Sequence, residues 1–455
     1  MLRVNFNKWL TVFASCGEVS LKGTLAIAFI AILCLAMFSA FAPRVIAQQS
    51  SADWPMFHAD PSHSGAGTGN SPLTSTLLWR YTTGSWVYSS PAVVDGVVYV
   101  GSEDGNFYAL NATSGDKLWS YPTGGSVDSC PAVVSGVVYI GSWDGNVYAL
   151  DASSGVQIWN FTTGSAIHSS PAVVNGVVYV GSDDWNVYAL NATNGAFLWS
   201  YLTGDWVESS PAVVGGVVYV GSDDGTVYAL DASMGVQLWN YTTSFIYVRS
   251  NAVSSSPAVV GGVVYVGSWD DNVYALNATS GAKLWSYKTG NEVSSSPAVV
   301  GGVVYVGSDD DKVYALNATD GAVLWNFATG SAIHSSPAVV GGVVYIGSDD
   351  DNVYALNATS GAKLWSYKTG DEVSSSPAVV GGVVYVGSDD DKVYALGASP
   401  TPSNTLFIII GIVVAVVIVD AVFLMLQKRL KTKTKNPPTT PQNSTSISSV
   451  QISQG

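Results

Sequence analysis

Between residues 91 and 396 the chain repeats one alternation of apolar runs and polar turns. A proline-headed Ala-Val-Val run is followed by a two-residue turn, then Val-Val-Tyr-Val, an acidic turn, Val-Tyr-Ala-Leu, a polar turn and a Leu-Trp run. The leading motif, Ser-Ser-Pro-Ala-Val-Val or a near copy, has its proline at Pro91, Pro131, Pro171, Pro211, Pro257, Pro297, Pro337 and Pro377. The step is 40 residues, except for 46 between Pro211 and Pro257. Four strand-length apolar runs per period, rich in Val, Tyr, Trp and Gly, predict an array of four-stranded β units.

The sixth unit shows the parse. Residues 297–300 meet Gly301-Gly302 and return as 303–306; the stretch 307–311 then leads to 313–316, and 317–321 to 323–327. Gly301-Gly302, Asp95-Gly96 in the first unit and Asn175-Gly176 in the third are hairpin signals, because the turn that matches strand twist needs positive φ. Runs such as Val-Val-Tyr-Val lack polar alternation and should be covered on both faces, as when sheets stack around an axis. The proline puts the first strand at an edge lining a central channel. The last unit stops after 393–396 without its Leu-Trp strand, while a surplus strand of that kind, 77–81, precedes the first unit. Joining the two closes the ring and removes the open edges. The predicted fold is all-β: an eight-bladed β-propeller of four-stranded antiparallel blades, closed by an N-terminal strand. An open solenoid would not need one terminal strand missing and its counterpart supplied at the other end.

From Ala149 to Trp159 the chain reads Ala-Leu-Asp-Ala-Ser-Ser-Gly-Val-Gln-Ile-Trp, and close copies end at Trp119, Trp199, Trp239, Trp285, Trp325 and Trp365. This segment resembles the tryptophan-docking motif of the pyrroloquinoline-quinone (PQQ) repeat family. Asp53-Trp54-Pro55-Met56-Phe57, with Asp60-Pro61-Ser62-His63-Ser64-Gly65, resembles the lead-in of its prokaryotic members. The resemblance covers roughly residues 53–398 and implies that these tryptophans, with Trp79 on the closing strand, stack between adjacent blades. A large flat side chain buries much area in such a place. The family includes quinoprotein dehydrogenases and noncatalytic scaffolds of the BamB type, so the resemblance speaks to fold more than to activity. Its dehydrogenases carry an adjacent-cysteine disulfide over the cofactor and long insertions around it, and neither exists here. Their calcium ligands and catalytic aspartate map onto no segment. No catalytic, cofactor-binding or metal-binding residue is therefore assigned; the enzyme alternative is a quinoprotein dehydrogenase holding PQQ with Ca²⁺ in the channel mouth.

The flanks set the expected topology. Lys22 precedes an apolar run, 25–42, and Val45-Ile46-Ala47 before Gln48 resembles a signal-peptidase site, so 1–47 reads as a signal peptide or an N-terminal anchor. A lead-in, 48–76, and the propeller, 77–398, follow. After a linker, 399–405, residues 406–426 carry one charge, Asp420, and are long enough to cross a bilayer as a helix. Lys428, Arg429, Lys431, Lys433 and Lys435 follow at once, which places the basic, then disordered, tail 427–455 in the cytoplasm and the propeller outside.

Of the 33 acidic residues only Glu18 and Asp420 lie outside the propeller and its lead-in, against nine of the 18 Lys and Arg, leaving that region with a net charge of about −22. Such a field repels nucleic acid and favours cations or basic partners. Much of the acid recurs in the turns between second and third strands: Glu103-Asp104, Asp144, Asp183-Asp184, Asp223-Asp224, Asp270-Asp271 and the triplets beginning at Asp309, Asp349 and Asp389. In a propeller these turns share one face and form an acidic ring. The spacing lacks the alternating ligands and terminal glutamate of an EF-hand, and aspartate is ordinary turn chemistry. On the opposite face Asn111, Asn191, Asn277, Asn317 and Asn357 occupy glycosylation acceptors, as do Asn160 and Asn240. The five Asn-Ala-Thr turns also read simply as Asn in place of the docking-turn Asp151 and Asp231. Cys130 replaces a repeat serine and has no partner outside the leader. His168 and His334 fall four units apart, on opposite sides of the ring, and do not form one metal or catalytic pair.

The units differ chiefly in the loop ahead of Ser-Ser-Pro, on the acidic-ring face beside the channel. There stand Trp86, Tyr88, Asp128, His168, Trp206, Glu208, Glu292, His334 and Glu372, and the inserted stretch 245–251 adds Phe245, Tyr247 and Arg249. Aromatic and charged side chains on loops over a rigid scaffold are where binding resides, although drift among duplicated blades leaves the same trace. The reading is a membrane-anchored, surface-exposed binding or assembly scaffold with a protein or envelope partner on the acidic face. A structural cell-envelope protein is the second alternative.

Overall fold

In a computed structural model, residues 53–243 and 251–397 are described. They form eight sheets, each laid down from the ring axis outward. The first blade is Ala92–Val94, Val97–Gly101, Asn106–Asn111 and Lys117–Pro122, all antiparallel. The eighth holds Ala378–Val380, Val383–Ser388 and Lys392–Gly397, and its outermost strand is Leu77–Thr82, with Trp79 opposite Ala395 and Tyr81 opposite Val393. Innermost strands of neighbouring blades lie side by side round the whole ring, the first against the eighth. The leader 1–47, linker 399–405, membrane segment 406–426 and tail 427–455 lie outside the described residues. Among the described residues no helix is long and apolar enough to cross a membrane.

The turns behave as their residues require. Asp95 and Gly96 have φ of 50° and 77°, Asn175 and Gly176 of 51° and 78°, and Gly301 and Gly302 of 60° and 79°. Both central residues are thus left-handed, the hairpin geometry whose twist suits the flanking strands. The strand bounds correct the sequence reading slightly. Pro297 stands just ahead of Ala298–Val300 rather than in it, and the next strands extend to Val303–Ser308, Lys312–Asn317 and Val323–Ala328, because the ladder continues to the turn.

Each docking tryptophan ties two blades together. The Nε1–H of Trp159 donates to the Ala192 carbonyl of the next blade at 2.9 Å, and Trp119, Trp199, Trp239, Trp285 and Trp325 do the same to Ala152, Ala232, Ala278, Ala318 and Ala358. Trp79 donates to Ala112 of the first blade and so seals the ring. Trp365 instead donates to Pro72 of the lead-in. The Ser-Ser pairs form a second belt around the channel. Ser209, Ser255 and Ser375 donate through Oγ to the Ser255, Ser295 and Ser89 carbonyls, and the backbone N–H groups of Ser170, Ser210 and Ser376 donate to Ser210, Ser256 and Ser90. Cys130 is buried in this belt and presents a thiol where the repeat presents a hydroxyl.

The lead-in has a role that none of its motifs announces. It winds around the inside of the ring, with Trp54 exchanging backbone hydrogen bonds with Val93. The N–H groups of Val133, Val213, Val259, Val299 and Val339 donate to the carbonyls of Pro55, Pro61, Ser62, Ser64 and Gly65. Ala66–Gly67 then pairs in parallel with Ala338–Val340. Innermost edges, with free donors on the axial side, are satisfied from within. Gly65 is required there: its φ is +67° and a Cβ would come within 2.4 Å of the Ala298 Cβ. His58 and His63 are buried in this segment, and burial pushes them down to about 3 and about 4, so both are neutral at pH 7.

Candidate binding face

Strand order places the turns between second and third strands on the same face as the loops between blades, and hydrogen bonds lock the two together. The second residue of each turn, an aspartate throughout, is structural. In the first blade Asp104 accepts from the Asn106 N–H at 2.8 Å, from Tyr108 Oη at 2.6 Å and from the N–H of Gly84, in the loop entering that blade, at 2.7 Å. Asp144, Asp184, Asp224, Asp310, Asp350 and Asp390 repeat the arrangement through Tyr148, Tyr188, Tyr228, Tyr314, Tyr354 and Tyr394. Burial works against the Asp144 carboxylate, yet Tyr148, Gly124 and Asn146 outweigh it and hold the group below its ordinary range. The third turn residue, such as Asp311 at φ 68°, takes the left-handed position. Eight of the 18 acids of the predicted ring therefore serve the fold directly, Asp270 through Tyr274 included.

The first turn residue faces the channel mouth with the inter-blade loops, and the candidate side chains gather there. Trp86, half-exposed, meets Tyr88 edge-on with centroids 5.9 Å apart. Tyr88 also hydrogen-bonds Asp389, whose burial raises it to about 7 despite that hydroxyl. His168 faces Asp128, 3.9 Å away, and Asp183, 3.4 Å away, and its ring lies 4.7 Å from that of Trp143. A donor atom of Glu208 lies within 4.8 Å of those of His168 and Asp183. Burial pushes Asp128 up to about 6, with His168 opposing. His334 bridges Asp309 at 3.4 Å and Asp349 at 3.0 Å, and these carboxylates raise it to about 10. Glu292 and Glu372 lie close enough to His334 to feel its charge. Trp206 holds the loop position of Trp86, three blades on, and its carbonyl accepts from Asp223 N–H at 2.9 Å; Glu208 holds the position of His168 one blade on.

The structure thus gathers Asp128, His168 and Glu208 into one cluster and Tyr88, Glu292, His334 and Glu372 into others, and separates the two histidines by four blades. Phe245, Tyr247 and Arg249 lie outside the described residues. The first turn residues Trp143, Asp183, Asp309, Asp349 and Asp389 belong to this site and escaped the sequence reading, which grouped the acids of each turn as one signal. Trp143 and Trp269, which break the acidic pattern at that position, were the clue. Lysines of this face pair outside the mouth: Lys288, Lys312, Lys368 and Lys392 with Asp271, Asp310, Asp351 and Asp390.

On the opposite face Asn111, Asn191, Asn277, Asn317 and Asn357 accept through Oδ1 from the N–H of Thr113, Thr193, Thr279, Thr319 and Thr359. Asp151 and Asp231 make the same bond to Ser153 and Ser233. Asn160 and Asn240 stand exposed on outermost strands.

A family model described as outer membrane protein assembly factor BamB matches residues 71–166, 143–290, 246–331 and 269–399, which together exceed half the chain. No curated protein matches the chain. Among solved structures, BamB from Moraxella catarrhalis is 20% identical, covers 71% of this chain and 100% of its own, and superposes with a TM-score of 0.63. The quinohemoprotein alcohol dehydrogenase from Comamonas testosteroni is 18% identical over 81% of this chain and 84% of its own, with a TM-score of 0.65. A europium-containing methanol dehydrogenase is 14% identical over 77% and 98%, with a TM-score of 0.66. At these identities the structural likenesses establish the fold alone. The extended match to the repeat model carries further: the chain belongs to the PQQ-like β-propeller family described by outer membrane protein assembly factor BamB.

Proposed function

We propose that the protein is a membrane-anchored, extracytoplasmic propeller that binds a protein or envelope partner on its acidic face and catalyses no reaction. The observation that carries this reading is the division of labour within the ring. The channel interior is bonded to the chain's own lead-in, and the blade-specific aromatic and charged side chains collect at one mouth. The family match to an assembly factor supports it. Anchoring through 406–426, the outward-facing propeller and glycosylation of the asparagine acceptors are parts of the same proposal and rest on the sequence.

The second reading, a quinoprotein dehydrogenase, draws on the dehydrogenases among the structural neighbours. The residues here suit PQQ poorly. Its carboxylates need cationic partners, yet the described loop residues at the acidic mouth offer only His168 and His334, both paired with aspartates. Dye reduction with alcohols or sugars after addition of PQQ and Ca²⁺ would favour that enzyme reading. The scaffold reading is tested by crosslinking the full-length protein in its native envelope. Capture of one partner should fall at least tenfold when Trp86 and Glu208 are replaced by Ala, and stay unchanged when Thr113 and Thr359 of the opposite face are replaced. The reverse pattern would discard the acidic face.

A further inference from the structure

The cluster around His168 differs from its counterpart across the ring in a way that points to a ligand. At His334 the two turn aspartates close on the imidazole from both sides, Asp309 at 3.4 Å and Asp349 at 3.0 Å, and both ring nitrogens are taken. At His168 the preceding blade supplies Trp143 in place of that first aspartate, and the indole packs against the imidazole at 4.7 Å. The neighbouring loops supply Asp128 and Glu208, where the His334 side has Ser294 and Ser374. Three substitutions relative to the opposite half of the ring thus set His168 among Asp128, Asp183 and Glu208; Glu292 and Glu372 lie near His334, but among the described residues only His168, Asp183 and Glu208 bring their donor atoms together. Asp183 is nine-tenths buried, and its Oδ1 is a buried atom without a hydrogen-bond partner, as are Asp128 Oδ1 and, on the His334 side, Asp309 Oδ1 and Asp349 Oδ1. Buried carboxylate oxygens left without donors are costly unless something cationic reaches them.

We infer that His168, Asp183 and Glu208 form a binding site for one divalent first-row transition ion at the channel mouth, with Asp128 completing or orienting it. One donor atom from each of the three residues lies within 4.8 Å of the others. Donors sharing a zinc ion sit roughly 3–3.5 Å apart, as Zn–N and Zn–O bonds of about 2.0–2.2 Å require. Coordination therefore requires Glu208, the longest of the three side chains, to exchange its present interaction for the ion. An imidazole nitrogen beside carboxylate oxygens selects zinc-like ions over Ca²⁺ or Mg²⁺, which take oxygen ligands. The Trp143 ring limits how far the imidazole can turn. The site is carried by this geometry alone and stands or falls independently of the partner proposed above.

The test uses the full-length protein in detergent, stripped with a chelator and titrated with Zn²⁺ by equilibrium dialysis. One ion per chain should bind saturably. His168→Gln and Glu208→Gln should each weaken it at least tenfold with unchanged melting temperature, while His334→Gln should bind as the wild type does. Co²⁺ should give d–d absorption that His168→Gln abolishes, which keeps the test decisive if one variant folds poorly. A hundredfold excess of Ca²⁺ should not displace the ion. Absence of saturable binding, retention of full affinity in both site variants, equal loss in His334→Gln, or displacement by Ca²⁺ would each overturn the assignment.

Discussion

Ring closure rests on a strand separated by more than 300 residues from its partner, and Trp79→Ala tests it quantitatively with Trp159→Ala as a matched internal control. Trp79 and Trp159 are buried to 7% and 8% exposure, and each donates its Nε1–H to an alanine carbonyl of the next blade at 2.9 Å. Each also covers a docking-turn glycine, Gly115 or Gly195, at which a Cβ would meet the indole within 2.7 and 2.6 Å. A buried tryptophan removes about 150–250 Å² from water, which at roughly 25 cal/mol per Å² gives an upper figure of about 4–6 kcal/mol. Residual compactness of the unfolded chain trims that figure, and truncations of this type cost about 3–5 kcal/mol. The orphaned carbonyl adds about 1 kcal/mol. Each variant should therefore lose about 4–6 kcal/mol, visible in urea unfolding followed by circular dichroism as a midpoint lowered on the order of 1 M. Equal losses mean that the closing strand is bound as firmly as any internal one. A clear drop for Trp159→Ala with no shift for Trp79→Ala would refute closure by Leu77–Thr82.

Two further outcomes follow from single contacts. Cys130→Ser restores the hydroxyl that the other blades present in the serine belt, and it should raise stability by about 0.5–1.5 kcal/mol, read as a higher melting temperature; a lowered melting temperature would count against the belt. His334 is held up to about 10 against an ordinary value near 6.5, so the native state binds this proton more tightly than the unfolded chain does. Its contribution is complete below about pH 6.5 and fades as pH rises to about 10. The stability difference between the wild type and His334→Gln should shrink across that interval, and a difference that grows with pH would reverse the assigned charge state.

The legible part of this protein is what one repeat can say about itself. Positive-φ residues such as Asp95-Gly96 dictate hairpins, the uniform Val-Val-Tyr-Val runs demand cover on both faces, and the strand missing after Leu396 has its counterpart at Trp79. These are local or counting arguments, and each holds in the structure. The inner wall was not legible, because Val133 and Val259 meet Pro55 and Ser62 through backbone groups that carry no residue signature. The same blindness hid the acceptor of Trp365, the Pro72 carbonyl of the lead-in, where the other docking tryptophans meet an alanine carbonyl. The acidic ring looked uniform in sequence. Only the register of turn against loop separates Asp184, spent on Tyr188, from Asp183, set beside His168. Which residues of neighbouring blades meet depends on the angle at which whole sheets stack, and that angle is fixed by the summed packing of the closed ring rather than by any one segment of the chain.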